Sequence, residues 1–210
     1  MHSLTPLPVH AFDQLIGRSG NNRALMKSRG QLCPLIVPSP EQRADGLWRE
    51  NIFLAADAVI AVAIDQLVEA GAARAAITHA MTDLQIACIC RLNDIDNGKQ
   101  AHIAFAHTAR GWVVLSHVRD VIAAVSDHFR EDGEDVKVAI FIAPLHQAAA
   151  IVRQRAAEHE IELPDRFWPT PEELDRGTDL LVAAIAPRTS PVIEQWQAMR
   201  QRETQIVAVS

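Results

Sequence analysis

Eight amide and basic side chains near the N-terminus have the chemistry that nucleic-acid recognition requires. Asparagine pairs through two hydrogen bonds with adenine and arginine with guanine, while lysine and arginine also bind phosphate. The sequence therefore predicts base contacts for the two asparagines and Arg23, and phosphate or minor-groove contacts for the others. These candidate DNA-binding residues are Arg18, Asn21, Asn22, Arg23, Lys27, Arg29, Arg43 and Arg49.

Positive charge is concentrated in one segment of an acidic chain. The 210 residues carry a formal net charge of −6. Residues 14–49 hold six basic and two acidic residues, so this segment carries +4 and the remainder −10. The distribution excludes a uniformly basic nucleic-acid binder, and the apolar content of 49% excludes a wholly disordered chain. Two interpretations of the segment stay open, a binding site for phosphate and an ordinary solvated surface.

Motifs for catalysis, cofactors and metals do not occur in the sequence. Cys33, Cys88 and Cys90 are too few for a disulfide framework and form no CxxC pair. None of the nine histidines has helical metal-ligand spacing. Glycine-rich phosphate loops and the GxSxG nucleophile motif are also missing. We therefore predict a protein that is not an enzyme and that holds no cofactor and no metal.

The sequence also predicts no membrane association. The N-terminus has no basic segment followed by an apolar one, so no signal peptide is expected. The most apolar stretch, residues 52–64, is shorter than the roughly 20 residues that a membrane-spanning helix needs. Few cysteines suit a reducing compartment, and we expect a cytoplasmic location.

Six of the candidate residues, from Arg18 to Arg29, lie on or beside the second of two predicted short helices. Apolar residues at helical spacing predict a helix over residues 9–16, which ends at a glycine-containing turn. Asn21 or Asn22 is predicted to cap the second helix, in which Leu25 and Met26 would be the buried residues.

Longer elements follow this helix pair. Prolines between residues 31 and 46 indicate an extended arm with a turn. A long apolar helix is predicted over residues 49–70, and a further helix from residue 73 to residue 81 or beyond. Residues 93–98, with the sequence NDIDNG, indicate a hinge and a domain boundary.

The second half of the chain has the pattern of a small α/β unit, β-β-α-β-α. Its predicted elements are strands over residues 102–106 and 112–115, a helix over 116–129, a strand over 136–142 and a helix over 145–159. A rigid linker at residues 167–171 then leads to C-terminal helices. The predicted class is α+β, and the predicted divisions are residues 1–92, 93–164 and 165–210.

The order of elements in residues 9 to about 80 resembles the MerR-like family of winged-helix DNA-binding domains. Four runs carry the resemblance: FDQLIG at 12–17, GQLCP at 30–34, RADGLW at 43–48 and RENIFL at 49–54. They are similar to the end of the first helix, the end of the recognition helix, the wing and the start of the following helix. The resemblance implies an N-terminal winged helix-turn-helix whose second helix enters the major groove.

The function that this resemblance implies is sequence-specific DNA binding by a transcription regulator. The partners would be double-stranded DNA and a second copy of the chain, and the C-terminal part would dimerise or sense an effector. One alternative is a protein-interaction adaptor that has kept the winged-helix scaffold without binding DNA. Another is a small α/β enzyme or ligand sensor centred on residues 99–160.

Overall fold

The computed structural model describes residues 3–35, 53–108, 111–116 and 139–170. These residues form a mixed arrangement of helices and one small antiparallel sheet, which confirms the α+β class. The helices are α1 (Val9–Ile16), α2 (Gly20–Ser28), α3 (Ala55–Glu69), α4 (Arg74–His79), α5 (Met81–Asp96) and α6 (Leu145–Glu158). The strands are β1 (Ile103–Thr108), β2 (Gly111–Leu115) and β3 (Ala139–Ala143). The predicted arm and wing beyond residue 35, the helix after residue 116 and the C-terminal helices after residue 170 lie outside the described residues.

Helix α3 is the centre of the hydrophobic core. Eleven of its 15 residues are buried, and they occur on every side of the helix. A helix that is apolar all round must be covered all round, and α3 packs against α1, α5, α6 and β3. Its numerous alanines let these neighbours approach closely.

The sheet is a hairpin extended by a third strand, in the order β2-β1-β3. Phe105 in β1 pairs with Val114 on one side and Phe141 on the other. Its ring is fully buried and stacks on Trp112, with ring centroids 4.4 Å apart. The predicted hairpin is therefore confirmed, with strand ends shifted by one or two residues.

The segment after α6 is part of the core, so its prediction as a linker was wrong. Phe167 and Trp168 are buried, and their backbone N–H groups donate to the two carboxylate oxygens of Asp96, at 3.0 and 3.2 Å. The guanidinium of Arg153 lies 4.7 Å from the centre of the Phe167 ring. Sequence pattern failed here because the two prolines of the segment suggest an extended spacer, whereas the backbone N–H groups of the two aromatic residues before them bind a carboxylate about 70 residues away.

Helix α5 continues through most of the predicted hinge at residues 93–98. Leu92 and Ile95 are buried at helical spacing, and an ion pair of 2.7 Å joins Arg91 to Asp94 one turn later. The turn that remains is Asn97 and Gly98, which follow the last helical residue. Buried side chains from both sides of this predicted boundary belong to one hydrophobic cluster.

Among the described helices, none combines the length and apolar content that crossing a bilayer demands.

Candidate nucleic-acid interface

Helices α1 and α2 are joined by the three-residue turn 17–19. Gly17 ends α1 in the left-handed conformation, with φ 66° and ψ 35°. A side chain there would also collide with the guanidinium of Arg155, which lies 2.9 Å from the position of a Cβ and donates to the carbonyl of Leu15. The turn thus requires glycine for two reasons, its backbone conformation and the approach of α6.

Ser19 caps α2, which corrects the predicted cap at Asn21 or Asn22. Ser19 is extended, and its hydroxyl accepts the backbone N–H of Asn22 at 3.4 Å. Serine competes well with asparagine at this position, and the helix starts two or three residues earlier than expected. Both asparagine side chains are consequently in the first turn, where they are exposed and do not serve as the cap.

Helix α2 is exposed on nearly all of its surface. Met26 is its one buried residue. Leu25, predicted to be buried as well, is 45% exposed. Adjacent residues on a helix point about 100° apart. Because α2 contacts the core along one narrow strip, Met26 is buried and the neighbouring Leu25 is not. Lys27 and Arg29 are exposed beside this strip.

Arg18 and Arg23 are engaged in ion pairs within the chain. A guanidinium nitrogen of Arg18 lies 2.8 Å from Oδ2 of Asp65 in α3. Nη1 of Arg23 contacts Oδ2 of Asp13 in α1. Arg18 lies in the turn before α2 and Arg23 in its first turn, so the two pairs tie the start of α2 to α3 and α1. Sequence reasoning treated both arginines as available for DNA because their partners are ten and 47 positions away.

The other end of α2 is also fixed. Gly30 has φ 64°, and the next residue, Gln31, donates its backbone N–H to the carbonyl of Met26. The hydroxyl of Thr78 in α4 donates to the carbonyl of Arg29 at 3.4 Å. Two ion pairs, one buried methionine and this contact therefore attach a helix whose outer surface faces solvent.

The chain leaves α2 through a buried polar contact that sequence reasoning missed. The carboxylate of Asp57 in α3 accepts the backbone N–H of Leu35 at 2.8 Å and that of Leu54 at 2.7 Å. Burial raises the pKa of Asp57 to about 7, although the two N–H groups act in the opposite direction. One feature of the sequence could have revealed this contact. Asp57 lies three residues after the N-cap of α3, which is the spacing of a capping box.

Arg43 and Arg49, with the rest of the predicted wing, lie outside the described residues. The contiguous part of the candidate interface is therefore α2 with its flanking turn. It brings together the exposed side chains of Asn21, Asn22, Lys27 and Arg29 and the paired side chains of Arg18 and Arg23.

A second concave region lies between α5 and β2, away from this interface. Its cavity volume is about 530 Å³, and Asp83, Cys90 and Trp112 are among the side chains that line it. In the ranges that the structure describes, no group of three or more histidine, cysteine or acidic side chains is arranged to hold a metal ion.

Comparison with known proteins gave no match, whether with protein-family models, curated proteins or solved structures. The resemblance to MerR-like domains thus depends on the residues quoted above and stays a prediction.

Proposed function

We propose that this chain is a dimeric, sequence-specific DNA-binding regulator in which α2 enters the major groove. The observation that carries the proposal is the position of Asn21 and Asn22. Both amides are exposed in the first turn of α2, and Ser19 rather than either asparagine caps the helix. A recognition helix reads base edges with the residues of its N-terminal turns, so these amides are available where such contacts are made.

The basic residues complete this surface. Lys27 and Arg29 are exposed near the C-terminal end of α2, and their charges suit phosphates that flank the groove. Arg43 and Arg49 would contribute from the predicted wing. The acidic remainder of the chain repels DNA from the other surfaces and so orients α2 toward the duplex.

The two asparagines provide the most direct test. Duplexes are first selected from a random-sequence library with the full chain at low salt, and binding is then measured by fluorescence polarisation. Asn21→Ala with Asn22→Ala is expected to weaken binding to the selected duplex by about 1–3 kcal/mol for each bidentate base pairing that the variant can no longer make. Binding to random duplex should change little, because amides contribute little to non-specific affinity.

A matched control removes two exposed amides elsewhere, with Asn97→Ala and Gln100→Ala. This variant should bind the selected duplex as the unchanged chain does. Equal binding by both double variants would contradict the recognition role of Asn21 and Asn22, and failure to select any duplex would contradict DNA binding itself.

Lys27 provides a second measure, because a phosphate contact appears in the salt dependence. Lys27→Ala should reduce the slope of log K against log salt concentration by about 1. The control is Lys99→Ala, which removes an exposed lysine outside the interface, 3.6 Å from Asp94. If Lys27→Ala and Lys99→Ala give the same salt slope, Lys27 does not contact a phosphate.

The exposure of Leu25 favours the alternative, an adaptor that binds another protein. A large apolar side chain on a binding helix suits a protein groove better than it suits phosphates. A photo-cross-linking amino acid in place of Leu25 separates the two functions in cells, with the similarly exposed Ile142 as control position. Cross-links to DNA support the regulator, whereas cross-links to protein alone support the adaptor.

The dimer is a separate part of the proposal. The apolar residues 180–185 suit a subunit contact, and they lie outside the described residues. Sedimentation equilibrium should give twice the chain mass of 23.1 kDa at micromolar concentration. A monomer there would remove dimerisation and leave the interface on α2 unaffected.

A further inference from the structure

We infer that the carboxylates of Asp13 and Asp65 oppose the attraction of Arg23 and Arg18 to DNA phosphate, and so weaken binding to duplexes that lack the correct sequence. The inference rests on the proposed function, since it assigns these two aspartates a specificity role at the same interface. They are positioning residues that act through the arginines.

Each pair joins a largely buried aspartate to an arginine that is somewhat more exposed. The Asp13 and Asp65 side chains are only 15% and 17% exposed, whereas those of Arg23 and Arg18 are 20% and 36% exposed. Asp13 comes from α1, against which α2 packs, and Asp65 comes from α3. A phosphate that approaches the start of α2 therefore meets a guanidinium whose charge is already opposed by a carboxylate in contact with it.

Each contact leaves the arginine with donors to spare. Oδ2 of each aspartate contacts a single guanidinium nitrogen, and a guanidinium carries further N–H groups in a planar fork. Arg23 can therefore reach a base or phosphate without leaving Asp13. Full departure is costly, because Oδ1 of Asp13 is buried and has no hydrogen-bond partner among the described residues.

The consequence is a charge effect that differs between correct and incorrect DNA. Each carboxylate is well within a Debye length, about 10 Å, of any phosphate bound to its arginine, so it reduces the non-specific attraction. A correct duplex also offers base contacts, which do not depend on net charge to the same degree. Asp13 and Asp65 thus increase the ratio of specific to non-specific binding.

The test neutralises both carboxylates with little change of shape, in the double variant Asp13→Asn with Asp65→Asn. Binding to a duplex of random sequence is measured by fluorescence polarisation from about 50 to about 300 mM salt, a range that resolves the slope. We expect random duplex to bind about 3- to 10-fold tighter near 100 mM salt and the log–log slope to steepen by about 1–2, since two arginines gain full phosphate contacts.

The control changes the net charge equally at exposed sites outside the interface, with Asp83→Asn and Asp165→Asn. It should alter affinity by less than about 2-fold, because neither carboxylate is paired with Arg18 or Arg23 and salt screens exposed charges. A third variant, Asp13→Glu with Asp65→Glu, retains the charges and should bind random duplex as the unchanged chain does.

The binding measurements distinguish failure of the inference from failure of the proposed function. If the Asp13→Asn, Asp65→Asn variant binds random duplex no better than the control variant, the inference is overturned and the proposed function stands. If the unchanged chain and all variants fail to bind duplex at the lowest salt, the proposed function falls and the inference with it. Should the double variant unfold, as circular dichroism would reveal, Asp65→Asn alone is expected to show about half the change in slope, and no change overturns the inference.

Discussion

Helices α2 and α3 are the two extremes of burial in this molecule. One residue of nine is buried in α2, against 11 of 15 in α3. Helix α3 is stabilised by apolar contacts on all sides, whereas α2 is attached by Met26, two ion pairs and a hydrogen bond from Thr78. The difference separates a scaffold, whose residues are fixed by packing, from a surface helix, whose residues mostly face solvent.

The largest expected effect comes from a leucine in each helix. Leu67 in α3 is 0% exposed and Leu25 in α2 is 45% exposed. Leu67→Ala should lower the free energy of unfolding by about 2–5 kcal/mol, because less apolar surface is buried and a cavity remains. Leu25→Ala should change it by less than about 0.5 kcal/mol. Urea unfolding measures both, and equal losses would contradict the division into scaffold and surface.

Asp57 tests where the scaffold ends. Asp57→Ala leaves the buried N–H groups of Leu35 and Leu54 without their acceptor, which should cost about 2–4 kcal/mol of unfolding free energy. Glu69→Ala, an exposed acidic residue in the same helix, should cost less than about 0.5 kcal/mol. A small loss for Asp57→Ala would show that the segment after α2 is held by other contacts.

The raised pKa of Asp57 gives that carboxyl a pH dependence with a definite sign. Because its pKa is about 7 in the folded chain and 3.8 ordinarily, the folded state binds more protons between those values. Its contribution to stability is therefore full below about pH 4 and declines as the pH rises to about 7, with a slope of at most about 1.4 kcal/mol per unit. Urea unfolding of the unchanged chain, compared with Asp57→Asn across this range, isolates the effect. A difference that is constant with pH would contradict it.

The sequence predicted correctly those helices and strands whose pattern is contained in the element itself. Apolar spacing placed α1 over residues 9–16, as observed, and placed α6 within one residue. Alternation and a glycine-containing turn located the β1–β2 hairpin. In each case the signal is contained in a short window of residues, and the surrounding fold only supplies the partner surface.

The rest depended on partners that are distant along the chain. The two ion pairs of α2, the contacts of Asp57 and the docking of Phe167 and Trp168 on Asp96 join residues between ten and 72 positions apart, apart from one local contact at Leu54. An isolated arginine or tryptophan has the same appearance in the sequence whether it meets solvent or the core. The cap of α2 was thus predicted at the wrong residue, and the engagement of Arg18 and Arg23 was not foreseen.

The smallest expected effect concerns the attachment of α2 itself. A double-mutant cycle of Arg18→Ala and Asp65→Ala should give a coupling energy of only about 0.2–1 kcal/mol, because the arginine side chain is 36% exposed and solvent screens the pair. Urea unfolding of the four chains supplies the cycle. In the proposed complex, removing the charge of the same Asp65 is expected to change the log–log slope of DNA binding against salt by about 1. Asp65 would thus affect DNA binding measurably while contributing little to the free energy of unfolding. A coupling above about 2 kcal/mol would make the pair part of the scaffold, and the salt dependence of binding would then have to be explained by other residues of the interface.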